Sequence, residues 1–356
     1  MAIGSGMSIG REGPLIEFGG SLGAAVGRRL RLSSDQTRAL VAAGTAAGFA
    51  AAYNTPFAAV LFVLETIVGI VALDALLPMM AATVIATTLT RAVAGGGPIY
   101  GQRAFTLASP VELVPYGLLG LLAAIAAVGF KRLLARAEAV FEEYSPAQPW
   151  RAACGGLIVG GIAMFLPLVA GNGYEPLNLI IDERLAINTV VLLLGAKIIA
   201  TVGSVASGIP GGIFTPMLLT GGSLGAVMAA GVGSLGTPAV ASLGSYALVG
   251  MAAATAATIH APLTASVMIF ELTGDYAIVL PLLFSTIIAT AFSRWLGSES
   301  VYAAELRRRG RAWELTMDGR VLADAASGLD HDDQIAGIHR GSKRDEHVHD
   351  GGINGA

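Results

Sequence analysis

Two stretches in opposite halves of the chain repeat one broken-helix design, and this duplication limits the possible folds more than any other feature. Pro14 is followed after four residues by Gly19-Gly20-Ser21-Leu22-Gly23-Ala24, and Pro216 after four by Gly221-Gly222-Ser223-Leu224-Gly225-Ala226. Further on, Gly44, Pro56 and Glu65 recur with identical spacings as Gly250, Pro262 and Glu271. Self-similarity on this scale marks an architecture built from two copies of one unit. Each copy opens on glycines, then a proline, then an apolar run of small residues: Gly10-Arg11-Glu12-Gly13-Pro14 in the first, and Ser207-Gly208-Ile209-Pro210-Gly211-Gly212-Ile213-Phe214-Thr215-Pro216 in the second. Proline suits the first turn of a helix, where its missing N–H costs nothing. The run at 15–26 is shorter than the roughly 20 residues that cross a hydrocarbon core about 30 Å thick, so it reads as a half-helix. Paired interrupted helices at matching places in two halves point to a transport site between them.

Composition agrees. The chain is 54% hydrophobic and only 13% charged, whereas soluble domains carry about 25% charged residues. An all-α, multi-pass integral membrane protein is expected, and its 47 glycines suit close helix packing in lipid. The net charge of −3 indicates no nucleic-acid or acidic partner. Further helices are expected at 37–53 (broken at Asn54-Thr55-Pro56), 57–64, 67–93, 111–144, 152–170, 187–205, 278–292 and 296–309, with Ser33-Ser34-Asp35 as an N-cap region. This divides the chain into a transmembrane part at 1–310 (a first-repeat remainder at 1–98, a second repeat at 110–295, a cytoplasmic-side helix at 296–310) and a polar tail at 311–356. Arg307-Arg308-Arg309 places that end on the cytoplasmic side by the positive-inside tendency. The tail holds His331, His339, His347 and His349 at irregular spacing, which reads as a disordered, solvated segment rather than a metal site. Cys154, in an apolar glycine-rich run, is expected to pack in the core.

The candidate chemistry is sparse. The membrane part has no nucleophile–base pair, no metal-ligand cluster and no GxxxxGK[ST] phosphate loop, so no enzyme, metal or cofactor is expected. Glu12 is a lone carboxylate between two glycines at a helix start, where unpaired amides favour an anion. An ionisable residue inside a membrane is a functional hypothesis by default. Glu65 and Glu271 occupy equivalent places, which favours a structural, hydrogen-bonded role for both. Lys197, inside an apolar helix, is expected to snorkel or pair. His260, just before Ala261-Pro262, reads as a structural histidine at a helix break.

Residues 10–14 (GREGP), 44–65 (GTAAGFAAAYNTPFAAVLFVLE) and 208–216 (GIPGGIFTP), with Tyr302 before the basic helix, together resemble the CLC family of chloride channels and proton/chloride exchangers, over residues 4–310. The resemblance implies an inverted repeat whose half-helices meet at the midplane, and a homodimer with one pore per subunit. It makes Glu12 the gating glutamate, which occupies an anion position or swings away carrying a proton. It makes the Ile213 and Phe214 amides, with Gly212 beside them, the central anion site, and the Tyr302 hydroxyl the inner closure. Arg11 is expected either to help draw anions in or to serve structurally. Amides and a hydroxyl hold a halide without a fixed countercharge, so the ion can also leave. Two departures stand out. The family's inner-gate serine lies in a Gly-Ser-Gly-Ile-Pro loop of the first half, whereas Ser207-Gly208-Ile209-Pro210 precedes the second motif; the first half's leading helices are therefore expected to be missing from this chain, as in an N-terminal truncation or a misplaced start. Thr66 stands where many exchangers have a second glutamate, which lowers the case for proton coupling. The expected function is chloride transport, as exchange or passive conduction, in the cell membrane if the source is bacterial. The alternative is a non-transporting fragment or an assembly partner of a CLC protein.

Overall fold

The computed structural model describes residues 2–68, 73–97, 99–101, 110–144, 148–234, 242–316 and 319–324. The chain forms two compact units, Met1–Ser300 and Val301–Ala356. Helices of the first unit are α1 (Glu12–Arg29), α2 (Ser34–Tyr53), α3 (Pro56–Val63), α4 (Leu73–Ala94), α5 (Leu113–Tyr144), α6 (Gln148–Phe165), α7 (Tyr174–Ile181), α8 (Ile187–Ala206), α9 (Phe214–Ser234), α10 (Leu243–Ile259), α11 (Pro262–Thr273) and α12 (Val279–Trp295). Among the described residues, four segments are long and apolar enough to cross a membrane: Ala75–Ala94, Leu113–Tyr144, Ile187–Ala206 and Phe214–Ser234.

The repeat in the letters is a repeat in the packing. Helix α1 lies on α2 through Gly19 and Gly44, and a Cβ on either would run into the carbonyl of the other. Helix α9 lies on α10 through Gly221 and Gly250 in the same mutual way. Both α2 and α10 stop on a non-glycine residue in the left-handed region, Asn54 (φ 59°) and His260 (φ 58°), and both are followed by a helix with proline in its first turn. His260 is thus a terminating residue, as expected, with Nε2 3.3 Å from Ser293 Oγ. The start of α2 is a capping box: Ser33 Oγ accepts from Gln36 N and Gln36 Oε1 accepts from Ser33 N.

The two equivalent glutamates exchange caps across the halves. Glu65, beyond α3, accepts from Leu263 N (3.1 Å), Thr264 N (2.6 Å) and Thr264 Oγ1 (2.6 Å) at the start of α11. Glu271, near the end of α11, accepts from Phe57 N (3.1 Å) and Ala58 N (2.8 Å) at the start of α3. Each carboxylate satisfies amides that a helix start leaves orphaned. Glu65→Ala and Glu271→Ala are each expected to cost about 1–2 kcal/mol, the scale of a lost N-cap. The first should cost more, since it removes three bonds against two; thermal unfolding of the purified variants measures both.

Several sequence expectations are corrected. Helix α4 is described from Leu73 to Ala94, and where the helix expected at 67–93 was to start, α3 instead runs on into a π-helical turn, Leu64–Val68. There the buried Thr66 hydroxyl donates back to the Phe62 carbonyl, and Glu65 is engaged by α11. The helix expected at 152–170 is α6, ending at Phe165 ahead of Pro167 and a 3₁₀ turn, Pro167–Val169. Cys154 is exposed rather than packed in the core. Helix α6 turns Gly155 against Ser207 and Ile158 against Gly203, which leaves Cys154 on the outer side. Lys197 is fully buried and does not snorkel; its Nζ donates to the carbonyls of Val169 (3.0 Å) and Gly171 (2.8 Å).

The second unit has α13 (Val301–Arg308), with Tyr302 in its first turn, then an antiparallel hairpin of β1 (Arg311–Thr316) and β2 (Gly319–Asp324), in register from Arg311–Asp324 to Thr316–Gly319. The expectation of a disordered tail from 311 therefore fails for these residues. Trp313-Glu314-Leu315-Thr316 alternates apolar and polar residues, a strand signal that the polar composition of the whole segment masked. The four tail histidines lie outside the described residues.

Candidate functional site

The starts of α1 and α9 meet on the line relating the two halves. Gly10 and Gly212, equivalent in the repeat, form a two-bond bridge: Gly10 N donates to Gly212 O (2.7 Å) and Gly212 N to Gly10 O (2.9 Å). Glycine at both positions leaves room for the Glu12 carboxylate, since a Cβ on either would occupy its space and push it aside. That carboxylate folds over the bridge onto the other half's helix start. Its Oε1 accepts from Phe214 N (2.9 Å) and Thr215 N (3.2 Å), and its Oε2 from Thr215 Oγ1 (3.1 Å). Glu12 is 1% exposed, so these donors, not solvent, hold it.

Behind the donors stands an aromatic wall. The Phe49 ring stacks on Phe62 (4.6 Å between centroids) and meets Phe214 edge-on (5.5 Å), while Tyr53 lies 5.4 Å from Phe214. The Tyr53 hydroxyl is 2.9 Å from Thr215 Oγ1. On another side Ser8, fully buried, ties the segment before α1 to α8: its N–H donates to Ser204 Oγ and its Oγ lies 3.0 Å from Thr201 Oγ1. Arg11 donates through Nη2 to the Ala52 carbonyl (2.9 Å) and sits 5.6 Å over the Tyr174 ring. The buried ammonium of Lys197 holds the loop leading to Tyr174, so α8, α7 and α1 are fastened together around the site.

Of the residues expected from sequence, Glu12 and Phe214 are brought together. The Ile213 N–H meets no acceptor among the described residues. Gly212 corrects the expectation: its amide is taken up by Gly10 and is not offered to a ligand. Tyr302 belongs to the second unit. Two residues were missed, Thr215 and Tyr53, although both stand in the quoted motifs; Thr215 carries the one hydroxyl of 208–216, and Tyr53 stands beside the break at Asn54-Thr55-Pro56. Among the described residues no group of three or more His, Cys, Asp or Glu could hold a metal. Chemically the site is a set of fixed donors converging on one carboxyl group, which is carried by a side chain that can rotate.

Residues 1–294 match the model of the voltage gated chloride channel family. The chain belongs to the CLC family. A ClcB-like protein of Ralstonia nicotianae is 40% identical over 311 residues, covering 86% of this chain and 72% of that protein. The H+/Cl− exchange transporter ClcA of Vibrio campbellii is 31% identical over 317 residues, covering 86% and 67%. The crystal structure of a slow cyanobacterial Cl−/H+ antiporter superposes with a TM-score of 0.80 at 28% identity, covering 86% of this chain and 73% of that one. The fold expected from sequence, an all-α membrane protein with two broken-helix halves, is the CLC fold.

Proposed function

We propose that the chain moves chloride or a similar small anion across a lipid bilayer, with Glu12 as its gate. One observation carries this reading: a single buried carboxylate takes three donors at a helix start, the position and the donors that a small anion would use. While Glu12 is ionised and in place, it competes with the anion. Protonation turns an acceptor-only group into one with a proton to place among donors, and the acid swings out. The Phe214 and Ile213 amides then serve the anion, and Arg11 draws it toward the site. In this reading the protein is neither an enzyme nor a nucleic-acid binder, and the tail at 311–356 is cytoplasmic.

Reconstitution tests the proposal. Liposomes holding the purified chain are expected to release chloride above protein-free vesicles, and equal rates would overturn the reading. A chloride gradient that also drives protons uphill marks exchange; chloride flux without it marks conduction, the outcome that Thr66 favours in place of a carboxylate. We further propose a homodimer across α3, α4, α11 and α12. An apolar groove of about 460 Å³ there is lined by Leu61, Leu64, Met80, Val267, Phe270 and Leu283, and Phe57 and Tyr276 beside it are 65% and 80% exposed. Lipid or a second copy must cover such a surface.

A further inference from the structure

The contact between Tyr53, Thr215 and Glu12 has a direction that proton counting fixes. An ionised carboxylate has no proton to give, and threonine has one. The 3.1 Å contact to Glu12 Oε2 uses that proton. The 2.9 Å contact between Tyr53 and Thr215 must then be made with the tyrosine proton. The chain therefore runs Tyr53 O–H to Thr215 Oγ1, and Thr215 O–H to Glu12. Tyr53 and Thr215 are both fully buried, with Phe49 and Phe214 packed against Tyr53, so solvent does not exchange these bonds. An anion that takes the place of the carboxylate is likewise acceptor-only, so the same counting gives Tyr53 O–H to Thr215 Oγ1 and Thr215 O–H to the anion.

We infer that Thr215 gives its hydroxyl to the anion that replaces Glu12, and that Tyr53 is the positioning residue that keeps this proton aimed. The inference rests on the reading of Glu12 as occupant of an anion position. It adds a side-chain donor to a site otherwise made of amides, and with it a preference. A hydroxyl bonds best to concentrated charge, so it favours chloride over a diffuse anion such as thiocyanate.

The test is calorimetric titration of chloride and thiocyanate into the full-length chain in detergent, in a Glu12→Ala background that frees the position. Adding Thr215→Val, which keeps the volume and drops the hydroxyl, is expected to weaken chloride binding about tenfold, on the scale of one hydrogen bond to a charged partner. Thiocyanate should weaken by less than about threefold, because its charge is spread. Thr215→Ser should restore chloride binding, which separates the hydroxyl from packing. Tyr53→Phe should weaken chloride binding by a smaller factor, and should add nothing in the presence of Thr215→Val, because it acts through that residue. Chloride affinity left unchanged by Thr215→Val would overturn the donor role. A Tyr53→Phe effect that survives in the Thr215→Val background would overturn the positioning role. Absence of chloride binding in Glu12→Ala itself would instead remove the anion position, and the inference with it.

Discussion

Glu12→Ala is expected to leave chloride moving while abolishing its dependence on pH. The carboxylate is the titratable group that accepts from Phe214 N, Thr215 N and Thr215 Oγ1. An alanine methyl can neither occupy those donors nor carry a proton past them. In proteoliposomes the wild-type flux should change as the medium is made acid enough to protonate this carboxylate, and the variant should change less than about twofold over the same range. Any proton movement driven by a chloride gradient should fall to the level of empty vesicles, a loss of at least about tenfold if the carrier is a single group. Proton movement that persists in the variant would sink the assignment of Glu12. Because alanine removes the competing charge without touching the bridge between Gly10 and Gly212, the fold should survive.

Gly250→Val should do the opposite, sparing every group at the site and losing the fold. A Cβ at Gly250 meets the Gly221 carbonyl and comes 3.1 Å from the Gly225 Cα, both backbone groups that cannot rotate aside. Valine adds two further methyls to that contact. Overpacking of this kind costs about 3 kcal/mol or more when the neighbour is backbone, a large part of a typical stability. Its mate in the repeat, Gly44→Val against Gly19, should behave alike. Gly195→Ala is the control: nothing lies within 4 Å of its Cβ position, and helix propensity makes the change neutral or stabilising by up to about 1 kcal/mol. Melting curves and gel-filtration profiles of the three variants decide it.

What was legible in the sequence was local and periodic. The breaks at Asn54 and His260, the prolines that restart α3 and α11, the capping region before α2 and the long α5 and α8 all follow from residue types read in order. The duplication also showed that Glu65 and Glu271 share a structural role, but not that each caps the helix leading to the other. What was illegible needed three-dimensional placement. Gly212 was expected to offer its amide to a ligand, and only the approach of Gly10 shows that amide already engaged. Thr215 and Cys154 failed for the same reason, since the neighbours that decide their roles lie far off in sequence. The π-turn at Leu64–Val68 sits where Glu65 bonds to α11, a contact that no local pattern carries.

The span between Glu12 and its donors has a consequence for how the protein is made. Thr215 N, which completes the carboxylate's bonds, comes 203 residues later in the chain. At ordinary synthesis rates that is an interval of roughly 10–40 s. Throughout it, α1 carries a carboxylate that hydrocarbon strongly disfavours while it is alone. The carboxylate therefore cannot take its final hydrogen bonds until the start of α9 has been made, which ties the completion of the site to the second half of the chain.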